Sequence, residues 1–120
     1  MRYIVLLKAP QMTTPPPAEL MDAIMRLGDE ATQAGALLDT AGLSPSAAGA
    51  RVQLAGGQLS VTDGPFAEAK EMISYAVYQV GSKEEAVEWT SRFMRLHRDL
   101  WPGWEGEADV LKVLGPEDFA

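Results

Sequence analysis

The residues best suited to acid–base chemistry in this 120-residue chain are Asp63 and His97. Asp63 follows the alternating apolar residues Leu59 and Val61, so its side chain leaves the predicted strand on the same face as theirs. A carboxylate that points toward an apolar face is costly unless a partner stabilises it. Two interpretations of Asp63 follow: an Asx-type turn through Gly64, or a pocket carboxylate that acts as a base or anchors a ligand.

His97 is the only histidine in the sequence. At about 100° per residue, it falls within the apolar stripe that Trp89, Phe93 and Leu100 form on a predicted helix, so we expect it to face the sheet. A buried imidazole requires hydrogen-bond partners for its ring nitrogens. Two interpretations remain open: a core histidine that bonds a backbone carbonyl, and a general acid–base whose pKa is set by burial and a nearby carboxylate.

Four further residues are candidates for ligand binding. Lys70 and Glu71 directly precede a predicted buried strand, so they would lie at the mouth of a pocket. Phe66 belongs to the same segment, in which Glu68 is expected to stay at the surface. Lys70 or Arg2 would stabilise an anionic substrate by charge.

The elements that must position these residues are predicted from the apolar periodicity, which indicates one α+β domain over residues 1–120 in the order βαββββαβ. Gly56–Gly57 accepts the positive φ angles of a hairpin turn, and Ala9–Pro17 is a proline-rich loop. Without the hairpin, a βαβ unit occurs twice, which is a ferredoxin-like plan. The predicted strands are Arg2–Lys8, Ala36 to about Leu43, the two strands of a hairpin within Arg51–Asp63, Met72–Val80 and Glu107–Leu114. The predicted helices are Ala18–Ala34 and a second helix that Ser82 caps and that ends at about Leu100.

The first predicted strand is apolar on both faces. Tyr3, Val5 and Leu7 alternate with Ile4 and Leu6. Two helices cover only one face of a single sheet. We therefore expect a homodimer in which the uncovered sheet faces of two copies pack together.

Composition and missing motifs exclude several classes of function. The net charge of −7 argues against sequence-independent binding of nucleic acid, which requires a basic face. The absence of cysteine excludes disulfides, thiolate catalysis and cysteine-ligated metals, and a single histidine cannot form a histidine cluster. No nucleotide-binding glycine motif is present, so we expect no tightly bound cofactor. Without cysteine or a histidine cluster, we expect no metal site. The apolar run Ile4–Leu7 is too short for a signal peptide or a membrane span, so a cytoplasmic protein is expected.

The block VTDGPFAEAKE, residues 61–71, closely resembles the signature of the DGPF, or YCII-related, family. RYIVLLK at the start and GLSP after the first helix fit the same family, and the resemblance covers nearly the full chain. It implies a ferredoxin-like domain that dimerises through its sheets as a dimeric α/β barrel. It also implies a polar cleft with an Asp–His pair that is suggested to be catalytic in related proteins. Asp63 is the aspartate of the motif, and His97 is the candidate for its partner, although the histidine of related proteins does not always come from this helix.

Two functions follow from these residues and this resemblance. The first is a cofactor-independent enzyme in which Asp63 and His97 transfer protons to and from a small molecule. The second is a non-catalytic ligand-binding or regulatory module, for example one linked to extracytoplasmic-function sigma factors, as the resemblance suggests.

Overall fold

A computed structural model describes residues 1–11 and 14–119 of the chain and confirms the α+β order βαββββαβ. Met12 and Thr13, which belong to the predicted proline-rich loop, lie outside the described residues. Neither helix in the described ranges is long and apolar enough to cross a membrane. The elements are β1 (Arg2–Ala9), α1 (Ala18–Gln33), β2 (Leu37–Gly42), β3 (Ala50–Ala55), β4 (Gln58–Asp63), β5 (Glu71–Gln79), α2 (Lys83–Leu100) and β6 (Glu107–Lys112), with 3-10 turns at Ser46–Ala48 and Pro116–Phe119.

Four strands form an antiparallel sheet in the order β2-β5-β1-β6. On one face, Tyr3 and Val5 of β1 are buried against Ala31 of α1 and Ala86 of α2. Ile4 on the opposite face is only half-buried in a single chain. The strand order is that of two interlocked βαβ units, and the two helices cover one face of the sheet while the other remains open.

Local sequence determines where α2 begins and which of its faces is buried. The Ser82 hydroxyl accepts a hydrogen bond from the backbone N–H of Glu85 at 3.1 Å, and the Glu85 carboxylate accepts one from Gly81 at 2.8 Å. This is a capping box shifted by one residue, because the carboxylate reaches Gly81 instead of Ser82. The helix then buries Thr90 and His97 along the same stripe, as the periodicity predicts.

The hairpin departs from the single predicted sheet. β3 and β4 pair only with each other, from Ala50 opposite Asp63 to Ala55 opposite Gln58, and form a separate two-stranded sheet that we call the hairpin arm (residues 50–63). The radius of gyration is 16.4 Å, against about 14 Å for a compact chain of this length. Asp63 lies in phase with Val61, as predicted, but this face is open to solvent, so Asp63 is exposed and does not point toward the interior.

Candidate functional site

A cavity of about 340 Å³ lies between the two helices and the helix-covered face of the sheet. This volume is within the usual range for small-molecule sites. Most of its wall is apolar, and none of the described residues that line it is charged. Representative lining residues are Val5 and Leu7 of β1, Leu20 and Ile24 of α1, and Phe93 and His97 of α2. An apolar enclosure with a few polar groups is the composition typical of a ligand site.

His97 contributes an imidazole to the wall of this cavity. The residue is 4% exposed, and its Nδ1 atom lies 3.0 Å from the carbonyl oxygen of Phe93. A carbonyl oxygen only accepts hydrogen bonds, so in the neutral ring Nδ1 carries the proton and Nε2 carries the lone pair. Burial lowers the pKa of His97, and the bond to Phe93 opposes that shift only in part. His97 is therefore neutral at pH 7, with Nε2 as an acceptor.

Aromatic rings hold the imidazole in place. The Phe93 ring meets His97 edge-on with 4.6 Å between ring centroids, and the Trp104 ring lies tilted at 4.5 Å. Trp104 can approach closely because residue 106 is glycine: a Cβ atom there would lie 2.6 Å from the Trp104 Cζ2 atom. Trp104 follows the helix in a turn, so helical periodicity could not place it beside His97. Its indole N–H is buried and has no hydrogen-bond partner among the described residues.

The DGPF segment folds over the turn at Ser46 and does not line the cavity. Glu71 accepts a hydrogen bond from the Ser46 hydroxyl at 2.7 Å, and that hydroxyl accepts one from the Phe66 backbone N–H at 3.1 Å. The backbone N–H of Gly64 donates to the carbonyl of Gly49 at 2.9 Å. Glu71 and Phe66, both predicted to bind ligand, thus have structural partners that join the loop to the base of the hairpin arm.

Glu68 and Lys70 of this segment form exposed ion pairs. The Arg51 guanidinium lies 4.1 Å from the centre of the Phe66 ring and also bonds Glu68 at 2.9 Å, which agrees with the predicted surface position of Glu68. Lys70 bonds Glu107 at 2.7 Å. Phe66 and Lys70 therefore make contacts at the surface of the chain, away from the residues that enclose the cavity.

The predicted pair of Asp63 and His97 does not form within one chain. The hydrogen bond of His97 goes to Phe93, and no carboxylate among the described residues contributes to the shift of its pKa. Asp63 and Arg2 are exposed, and neither lines the cavity. Within residues 1–11 and 14–119, no group of three or more histidine, aspartate or glutamate side chains is arranged to hold a metal ion.

The sequence model of the YCII-related domain matches residues 1–100. The chain belongs to the YCII-related domain family. The YCII-related region runs from β1 to the end of α2 and includes both the DGPF segment and His97, whereas Trp104 and β6 follow it. No curated protein matches the chain significantly.

Proposed function

We propose that this YCII-related chain binds a small, neutral, mainly apolar molecule in the cavity and that His97 exchanges a proton with it. The observation that carries the proposal is the orientation of His97. Its Nδ1 atom is bonded to the Phe93 carbonyl, which leaves Nε2 as an acceptor in the apolar wall without a protein partner among the described residues. An unpaired acceptor in such a site favours a ligand that donates a hydrogen bond or a proton.

The volume and charge of the cavity define the class of ligand. At about 30 Å³ per water-sized group, a volume of about 340 Å³ accommodates roughly eleven non-hydrogen atoms. No charged side chain among the described residues lines the wall, so an anion would lose its hydration without a counter-charge. This supports a neutral bicyclic molecule more than the anionic substrate that Lys70 or Arg2 would stabilise.

The proposed chemistry is acid–base exchange at His97 Nε2. A neutral imidazole accepts a proton from an acidic C–H or O–H group and returns it from the same atom. The Phe93 carbonyl supports this cycle because it holds the Nδ1 proton and bonds the imidazolium that forms. Asp63 has no part in this scheme, because the single chain supplies a backbone carbonyl where the Asp–His pair would supply a carboxylate.

Binding is tested with 2-naphthol, a neutral bicyclic phenol of about eleven non-hydrogen atoms that matches the cavity at 30 Å³ per group. We expect His97→Phe to weaken binding about tenfold by calorimetry, because it removes one hydrogen bond. Gly42→Leu should abolish binding, since Gly42 lines the cavity and a Cβ atom there meets no atom within 4 Å, so that the backbone can accept a larger residue that occupies ligand space. Asp63→Asn is the control and should bind as the wild type does. Equal affinity in all four proteins would contradict the proposal.

Proton exchange is tested with 2-tetralone, a neutral bicyclic ketone that has acidic C–H groups. We expect the wild type to catalyse deuterium exchange at these carbons in D₂O, and His97→Phe to lose that activity while Asp63→Asn keeps it. Binding of 2-naphthol without any exchange would instead support the non-catalytic ligand-binding function. Exchange at equal rates with and without His97 would remove the acid–base role.

We further propose that two chains pair through their open sheet faces and form a dimeric α/β barrel. The support is that Ile4 and Val77 lie on that face half-buried, and Leu111, opposite Ile4, is 52% exposed. Leu111→Lys should dissociate the dimer in light scattering. Met25→Lys is the control, because Met25 on α1 is 67% exposed and lies on the opposite side of the domain from the open face. Equal masses for the two variants would contradict this arrangement.

A further inference from the structure

The hairpin arm presents four aliphatic side chains on one face. Val52 is paired with Val61, and Leu54 with Leu59, and these four residues are 66–72% exposed. The opposite face of the arm carries polar residues such as Gln53 and its partner Ser60. A contiguous exposed aliphatic cluster with a polar reverse side marks a surface that another molecule covers.

The arm is held in a defined shape although it packs on little of its own chain. The two strands keep a continuous register, and the turn at Gly56 and Gly57 has φ angles of 57° and 78°. At its base, Gly64 bonds Gly49, and Arg51 bonds Glu68. A two-stranded hairpin is marginally stable in water by itself. The aliphatic face therefore requires a cover that the described part of the chain does not supply.

We propose that a second copy of this chain covers the arm, so that each copy buries its aliphatic face on the other. Arg51 and Asp63 are the charged residues of the arm, and their charges cancel, so the arm has no net charge with which to select a charged partner. Two chains of net charge −7 repel each other overall, and a neutral arm adds nothing to that repulsion where two copies meet. A dimer with two-fold symmetry also buries both arms. A complex of one arm with another protein would bury half as much aliphatic surface.

This arrangement requires a second copy but does not depend on the packing of the open sheet faces. It predicts that only the aliphatic face of the arm contacts the second chain. Leu54 and Gln53 are neighbours on β3, both exposed in the single chain and directed to opposite faces. The same substitution at the two positions therefore separates an effect of the aliphatic face from an effect of added charge.

The test compares Leu54→Lys with Gln53→Lys by sedimentation equilibrium, with circular dichroism to confirm that both variants are folded. We expect a wild-type dimer, an increase of at least about a hundredfold in the dimer dissociation constant for Leu54→Lys, and a change of less than about threefold for Gln53→Lys. A spin label at Gln58→Cys, the only thiol in the resulting chain because the natural one has no cysteine, should report one defined distance between the two arms.

Each other outcome overturns the proposal. A monomeric wild type at 100 µM would leave the aliphatic face for a partner of different chemistry. A dimer that Leu54→Lys leaves intact would show that the arm lies outside the interface, even if Leu111→Lys dissociates it through the sheet. Equal weakening by both lysine variants would show that charge, and not the aliphatic face, controls association.

Discussion

Replacement of Gly64 by alanine should open the loop that joins the hairpin arm to the domain. A Cβ atom on Gly64 would overlap the carbonyl oxygen of Ser46 and lie 2.5 Å from the Ser46 carbonyl carbon and 3.2 Å from the Ala47 nitrogen. These are backbone atoms, which cannot rotate away as a side chain would. An ordinary contact is 3.4 Å or more, so the two segments must separate by about 1 Å to clear the carbonyl carbon and by more than that to clear the oxygen.

The cost of that separation follows from the hydrogen bonds that span the two segments. Gly64 to Gly49, Phe66 to Ser46 and Ser46 to Glu71 are bonds of 2.9, 3.1 and 2.7 Å. Each such bond contributes about 0.5–1.5 kcal/mol net. Loss of all three is offset by the smaller entropy of alanine in the unfolded chain, about 0.4–1 kcal/mol. Gly64→Ala should therefore lower the free energy of unfolding by about 0.5–4 kcal/mol.

Urea denaturation monitored by tryptophan fluorescence measures the global effect, and hydrogen exchange at the amides of Gly64 and Phe66 measures the local one. Gly42→Ala is the matched control, because a Cβ atom there meets no atom within 4 Å. We expect lost protection at both amides in Gly64→Ala and wild-type protection in Gly42→Ala. An unfolding free energy within about 0.5 kcal/mol of wild type, together with retained protection, would refute the steric argument.

Two further predictions concern the charged and ionisable candidates. Burial lowers the pKa of His97 from 6.5, so between 6.5 and the folded-state pKa the unfolded chain binds a proton that the folded chain does not. Stability should therefore fall as the pH drops below about 6.5. His97→Phe should flatten the plot of melting temperature against pH in this acidic range. An unchanged plot would contradict a buried neutral imidazole. Lys70→Met should cost less than about 1 kcal/mol, since the Lys70–Glu107 pair is exposed. It should also leave 2-naphthol affinity unchanged, and a lower affinity would place Lys70 at the site.

The parts of the structure that depend on local pattern were predictable from sequence. The period of α2 places His97 toward the sheet, and Gly56–Gly57 sets a hairpin in which Asp63 lies in phase with Val61. Both conclusions follow from fixed geometric repeats of helices and strands. Periodicity says which side chains share a face, and for His97 the face is covered by the chain itself.

Local pattern does not determine what covers the face of Asp63. An alternating strand looks identical whether its apolar side packs on its own domain or extends into solvent, because the difference lies in long-range pairing. β3 and β4 pair with each other and with no strand of the main sheet in the described residues, so the predicted pocket carboxylate is an exposed one. The partner of His97 was similarly undetermined, since a backbone carbonyl is available anywhere along the chain.

The DGPF segment joins the hairpin arm to the domain. Gly64 is small enough to meet the Ser46 carbonyl, and Glu71 closes the loop through the Ser46 hydroxyl. These contacts lie where the arm leaves the domain, so we expect them to set the direction in which its aliphatic face points. Gly64 is not on that face, yet Gly64→Ala should weaken association of the two chains along with the loop. If a Gly64→Ala protein associates as the wild type does although its loop has lost protection, the motif does not set the direction of the arm.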